Sequence, residues 1–161
     1  MAGYGDDTAF QDWLTANGYS LPDGAPPAAV LRLRGSQYID ATYGARFSGT
    51  PTEGIEQARA WPRTGATAYG NPIAPDAVPG AVEKAAYHAA YAEALSPGSL
   101  SVIAIGSERV KREKVEGAVE IEYFDGGSNA VAGATPILSA VEGLLAPLLV
   151  SSRPIPAVLV V

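Results

Sequence analysis

Apolar residues recur at helical spacing in four stretches of this chain. The first stretch predicts a helix over residues 8–17, because a capping box from Thr8 to Gln11 opens an i, i+3, i+4 pattern and Asn17-Gly18 is a helix stop. The apolar positions of this stretch are Phe10, Trp13 and Leu14.

The second predicted helix starts at Pro26 or Pro27 and runs to about Tyr43, with Gly44 as its stop. Its predicted buried face comprises Leu31, Tyr38, Ile39, Thr42 and Tyr43. The residues left more exposed on this helix are Arg32, Arg34 and Asp40.

The third predicted helix runs from Gly80 to about Leu95 and is dominated by Ala, which favours helix and lets a neighbouring helix approach closely. The fourth is predicted to begin with Thr135 as its N-cap. It carries a broad Leu-rich face, and Pro147 is expected to kink its last turn.

Residues 119–123 alternate between apolar and acidic side chains, as a half-buried strand does. The charged run 109–115 is a candidate partner strand across Gly117. Its basic residues would face the acidic ones, which favours pairing, and the two segments together predict one antiparallel β-hairpin.

Residues 45–79 contain many Gly and Pro, and they form a connection longer than compact domains usually have. Only the part from Gly54 to Trp61 is suited to a helical turn or two. Simple disorder is the alternative, but Trp61, Tyr69 and Ile73 are of a type that docks on other surfaces, so we expect an ordered arm.

Residues 151–161 contain two prolines followed by an apolar end, a pattern that forbids helix and favours an extended tail. Such a tail is expected to pair with a sheet edge of its own chain or of a neighbour. Its candidate partner-binding residues are Arg153, Ile155, Val158, Leu159, Val160 and Val161.

Together these elements predict an α+β protein that is mainly α. It is expected to be a small helical bundle with a long irregular arm, one antiparallel hairpin and an extended C-terminal tail. We expect a single domain over residues 1–150, with residues 151–161 as the tail.

The composition limits the chemistry that this chain can perform. It has no Cys and one His, so thiol nucleophiles and Cys-ligated metals are excluded, and His88 lies in the Ala-rich helix without a supporting Ser or Asp. We therefore expect no enzyme activity, no metal and no cofactor. No signal peptide or membrane span is predicted, so synthesis in the cytoplasm is expected.

The net charge of −6 disfavours general binding to nucleic acids, which needs a basic face. One basic cluster, containing Arg109, Lys111, Arg112 and Lys114, is interleaved with three Glu and has a net charge of +1 over residues 108–116. Trp61-Pro62-Arg63 joins a stacking ring to a guanidinium, which suits either a single-stranded nucleic acid or an anchor for the arm.

Several short motifs follow one another in a specific order. They are Arg34 to Asp40, Gln57 to Arg63, the helix after Pro79 with Ala85 to Ala94, the pair of segments 110–115 and 119–123, and the final Leu-rich helix. This order resembles a family of tailed-bacteriophage proteins, over roughly residues 30–150. Its members are often labelled DnaT-like single-stranded-DNA-binding proteins, although they look like head-to-tail connector (adaptor) proteins.

The resemblance implies a structural connector located in the virion, without a membrane association. Its partners would be further copies of itself in a ring, typically of twelve, together with a portal protein, a tail or stopper protein and, transiently, the packaged double-stranded DNA. The candidate partner-binding residues outside the tail are Trp61, Pro62, Arg63, Tyr69 and Ile73. The alternative is a replication accessory protein that binds single-stranded DNA through Trp61, Arg63 and the basic strand.

Overall fold

The computed structural model describes residues 2–101 and 138–150, and within them the protein is α+β. The helices are α1 Asp7–Ala16, α2 Ala28–Tyr43, α3 Gly80–Leu95 and α4 Ser139–Leu145. The strands are β1 Thr50–Pro51, β2 Arg63–Thr64, β3 Thr67–Ala68 and β4 Asn71–Pro72. The predicted hairpin at 109–123, the start of the fourth predicted helix and the tail 151–161 lie outside the described residues.

Helix α1 begins one residue earlier than predicted, because its N-cap is Asp6 and not Thr8. The Asp6 carboxylate accepts a hydrogen bond from the backbone N–H of Ala9 at 2.8 Å. An aspartate at this position also interacts favourably with the positive end of the helix dipole. The predicted capping box is therefore wrong, while the predicted stop at Asn17-Gly18 is confirmed.

Helices α2 and α3 pack along each other, and small residues set their separation. A Cβ atom on Gly35 of α2 would collide with the carbonyl oxygen of Ala86 and would lie 2.8 Å from the backbone nitrogen of Ala90. The backbones are close enough that only hydrogen fits at this point. The predicted Ala-rich, closely packed helix is thus confirmed as α3.

The buried side chains form two clusters on the two sides of this helix pair. The first joins α2 and α3 to α4 and to the arm, and the second joins them to α1. The buried members of the second cluster are Phe10, Leu14, Leu31, Tyr87, Ala90 and Ala94. Among the described helices, none has the length and apolar character needed to cross a bilayer.

The arm between α2 and α3 contains more regular structure than predicted. Strands β1 and β2 pair antiparallel, and so do β3 and β4. The turn between β3 and β4 is Tyr69-Gly70, with φ of 50° and 78°, and this pair of positive values is typical of a type I′ hairpin turn. An ordered, largely irregular arm is confirmed, and its two short antiparallel pairs were not predicted.

Arg32 was expected to be exposed, yet it is 7% exposed. Its guanidinium donates hydrogen bonds to the carbonyl oxygens of Gly3, Tyr4 and Gly5 and forms an ion pair with Asp7 at 2.7 Å. The N-terminal segment folds over α2 and supplies these acceptors. Helical periodicity could not reveal this burial, since the partners lie some 25 residues away in the sequence.

Candidate functional site

The sequence motif Trp61-Pro62-Arg63 is part of the core of the arm. Trp61 is 2% exposed and contacts the ring of Phe47 edge-on, with 5.4 Å between ring centroids. Its indole nitrogen is buried without a hydrogen-bond partner among the described residues. A ring enclosed in this way has no free face for a nucleic-acid base, so Trp61 anchors the arm.

Arg63 is also buried, with 6% of its surface exposed. Its guanidinium donates hydrogen bonds to four backbone carbonyl oxygens, at distances from 2.6 to 3.3 Å. Burial lowers the pKa of Arg63 from its usual value. The acceptors are the carbonyls of Phe47, Ser48, Gly49 and Ala60. The predicted phosphate contact through Arg63 does not fit this geometry.

The other predicted contact residues of the arm are more accessible. Tyr69 is 85% exposed at the tip of the β3–β4 hairpin, whereas Ile73 is half-buried against the core. Both line an apolar groove of about 390 Å³ together with residues of α4 such as Leu144. Trp61 is not among the residues that line this groove, and the predicted tail residues from Arg153 to Val161 lie outside the described ranges.

Most cations of the described residues are neutralised by protein groups. Arg34, Arg46 and Arg59 form ion pairs with carboxylates at 3.0 to 3.3 Å, as Arg32 does with Asp7. Together with Arg63, this leaves exposed Lys84 as the one cation in ranges 2–101 and 138–150 that has no such partner. Lys84 is consequently available for an anionic ligand.

A group of partly exposed rings lies where the end of α1 meets α3, and we call Trp13, Tyr19, His88 and Tyr91 the aromatic surface. The turn after α1 brings the ring of Tyr19 against α3. Gly18 has φ of 69°, and the N–H groups of Gly18 and Tyr19 donate to the carbonyls of Thr15 and Leu14, which is a Schellman motif. The chain reverses there and brings Tyr19 back along its own helix.

The rings of the aromatic surface contact one another in a continuous series. Tyr19 stacks on Tyr91 with centroids 4.5 Å apart and planes within 7°. Trp13 meets Tyr19 edge-on at 5.6 Å and meets His88 edge-on at 4.7 Å. Beneath them lies buried Phe10, 6.2 Å from Trp13. The buried ring supports the exposed ones, so the surface has a fixed shape.

The face of α3 that carries His88 and Tyr91 also carries the cation without a carboxylate partner, Lys84. Lys84, His88 and Tyr91 are spaced i, i+4, i+7 and therefore share one side of the helix. Burial lowers the pKa of His88, so its imidazole is neutral at pH 7. The arrangement offers flat rings for stacking and one positive charge, and it offers no nucleophile with an adjacent base.

The comparison with known protein families concerns the chain as a whole. A family model described as "Putative DnaT-like ssDNA binding protein" matches residues 3–160. The chain belongs to this family. No curated protein and no solved structure matches the chain. The resemblance to proteins labelled DnaT-like is thus confirmed.

The connector interpretation of the DnaT-like resemblance is not supported. The description of the family names single-stranded DNA and mentions no virion, portal or ring. The prediction of a structural virion protein in a ring is therefore wrong, and the family favours the alternative, a single-stranded-DNA-binding protein. The predicted absence of enzyme activity, synthesis in the cytoplasm and the domain limits stay predictions.

The residues of the aromatic surface of this DnaT-like protein come from separate parts of the sequence, so no single motif indicated them. Trp13 is one of the apolar positions that predict the first helix, and it is only half-buried. Tyr19 follows a helix stop, and Tyr91 was counted within an Ala-rich packing helix. The i, i+4, i+7 spacing of Lys84, His88 and Tyr91 was visible, whereas the approach of Tyr19 to α3 depends on the tertiary fold.

Proposed function

We propose that this protein binds single-stranded DNA and catalyses no reaction. The observation that carries the proposal is the family match, which covers nearly the whole chain and names single-stranded DNA. The geometry gives it a physical basis, because the aromatic surface presents rings that are only partly covered by the protein. Aromatic side chains bind unpaired bases of any sequence by stacking, since every base has a flat face.

The charge distribution favours a single strand over a duplex. The described residues contain six basic and eleven acidic side chains, a net charge of −5, and all five arginines are engaged by protein groups. Tight binding to a duplex relies on many contacts between cations and phosphates. A ligand whose bases are accessible can instead gain affinity from stacking, which an acidic protein can supply.

The test is a titration of the full chain against a fluorescein-labelled thymidine oligomer and a duplex of equal length, followed by fluorescence anisotropy. We expect saturable binding to the single strand and weaker binding to the duplex. Between about 50 and 200 mM salt the single-strand affinity should fall less than about tenfold, as expected for one or two phosphate contacts. Absence of saturable binding, or a preference for the duplex, would refute the proposal.

A further inference from the structure

The aromatic surface contains a ring that is held in place and still accessible. One face of Tyr19 lies on Tyr91, and the residue remains 37% exposed. The Schellman motif fixes the backbone at this position, so the ring is oriented before any ligand arrives. Preorganised rings lose little conformational entropy when a base stacks on them.

A positive charge lies at a suitable distance from these rings. Lys84 and Tyr91 are seven residues apart on α3, which corresponds to about 10 Å along the helix axis at 1.5 Å per residue. Three stacked nucleotides at about 3.4 Å each cover the same length. An ammonium group at Lys84 therefore lies within reach of the backbone of a strand whose base is stacked at the Tyr19–Tyr91 pair.

The other exposed aromatic side chain of the described residues lacks this setting. Tyr69 is 85% exposed, but it lies beside an apolar groove whose lining residues include no Lys or Arg. Trp61 and Arg63 are enclosed in the arm. Rings and an available cation thus occur together only at the aromatic surface within ranges 2–101 and 138–150.

We propose that the aromatic surface is the binding site for the single strand. A base stacks on Tyr19, Trp13 and Tyr91 hold that ring in place, and Lys84 contacts a phosphate about three nucleotides away. This assignment rests on the proposed function. It goes further by naming the residues, and it replaces the predicted site at Trp61, Arg63 and the basic strand.

The experiment compares variants of the full chain by anisotropy with the labelled thymidine oligomer. Tyr19→Ala should weaken binding about tenfold, because one base loses its stacking partner, whereas Tyr19→Phe keeps the ring and should bind within about twofold of wild type. Lys84→Ala should reduce the salt slope by about 0.7, the contribution of one phosphate on a single strand. Tyr19 follows a helix end and Lys84 is exposed, so both variants should fold.

Fluorescence gives an independent readout, since the chain has two tryptophans and only Trp13 lies at this surface. In wild type, the oligomer should quench part of the tryptophan emission. In Trp13→Phe the remaining emission, from buried Trp61, should not change on binding. Ile55→Ala, at a residue that is 96% exposed and remote in sequence, serves as the control and should bind like wild type.

The possible results distinguish a wrong site assignment from a wrong function. If wild type does not bind the oligomer, both proposals fail. If wild type binds but Tyr19→Ala and Lys84→Ala bind equally well, the site is refuted and the function stands. If Tyr69→Ala loses as much affinity for the oligomer as Tyr19→Ala does, the assignment is likewise refuted. It is also refuted if affinity falls only in a variant that neutralises Arg109, Lys111, Arg112 and Lys114.

Discussion

Arg63 shows how the surroundings of a single residue decide its role. Within the described part of the chain no carboxylate pairs with its guanidinium, and four backbone carbonyls accept its hydrogen bonds instead. The three carbonyls at Phe47, Ser48 and Gly49 precede β1, whereas Ala60 precedes β2. Arg63 therefore ties the segment before β1 to the segment before β2.

Replacing this residue should destabilise the fold. Arg63→Met leaves several buried carbonyls without donors, so we expect the free energy of unfolding to fall by about 3–5 kcal/mol. The matched control is Arg46→Met, because Arg46 and Glu142 form an ion pair that is exposed on both sides and contributes at most about 1 kcal/mol. Urea denaturation measures both, and equal losses would contradict the structural role of Arg63.

His88 should make the stability of the protein depend on pH. Burial against Trp13 lowers its pKa in the folded state below the ordinary value of 6.5, so the unfolded chain binds the proton more readily. The stability contributed by neutral His88 is present above pH 6.5 and is lost as the pH falls from there towards the lowered pKa.

The measurement is thermal unfolding of wild type and His88→Gln between about pH 7.5 and pH 5, within the range where His titrates. Wild type should lose more stability than the variant on acidification, and the difference between the two should level off above pH 7. A difference that does not change with pH would show that His88 titrates alike in the folded and unfolded chain.

At the scale of elements, the sequence predicted each helix from local signals. Helix α3 has the predicted bounds Gly80–Leu95, since proline and a Ser-Pro-Gly stop define them without tertiary help. The pairings of β1 with β2 and of β3 with β4 were missed. Each strand has two residues, too few for alternation to be recognised, and the first pair is held by the distant contacts of Arg63.

Two glycines in helices should respond oppositely to the same substitution. Gly35→Ala places a methyl group against the backbone of Ala86 and Ala90, so α2 and α3 must separate, at an expected cost of about 1–3 kcal/mol. Gly143→Ala in α4 meets no atom within 4 Å and should stabilise the protein by about 0.5–1 kcal/mol, because alanine favours helix. Chemical denaturation of the two variants checks the opposite signs.

At the scale of the whole molecule, the two buried clusters have different relations to the proposed site. The cluster at α1 contains Phe10 directly beneath the aromatic surface, whereas the other cluster places Leu145 of α4 among residues of α2, α3 and the arm. The sequence predicted both residues as apolar helix positions. It could not predict that only one of them supports exposed rings, because that depends on how α1 docks on α3.

Because of this difference, two core substitutions that destabilise the protein equally should have different effects on its affinity for the single strand. Phe10→Ala and Leu145→Ala each empty a site that is fully buried, and each should lower the free energy of unfolding by about 3–4 kcal/mol. Phe10→Ala also removes the ring that supports Trp13, so its affinity for the thymidine oligomer should fall several-fold. Leu145→Ala should bind like wild type at a temperature where both variants are folded.

Denaturation curves establish the matched stabilities, and anisotropy then compares the affinities. If both variants lose affinity equally, binding depends on global stability, and the aromatic surface is not the part of the molecule that recognises the strand.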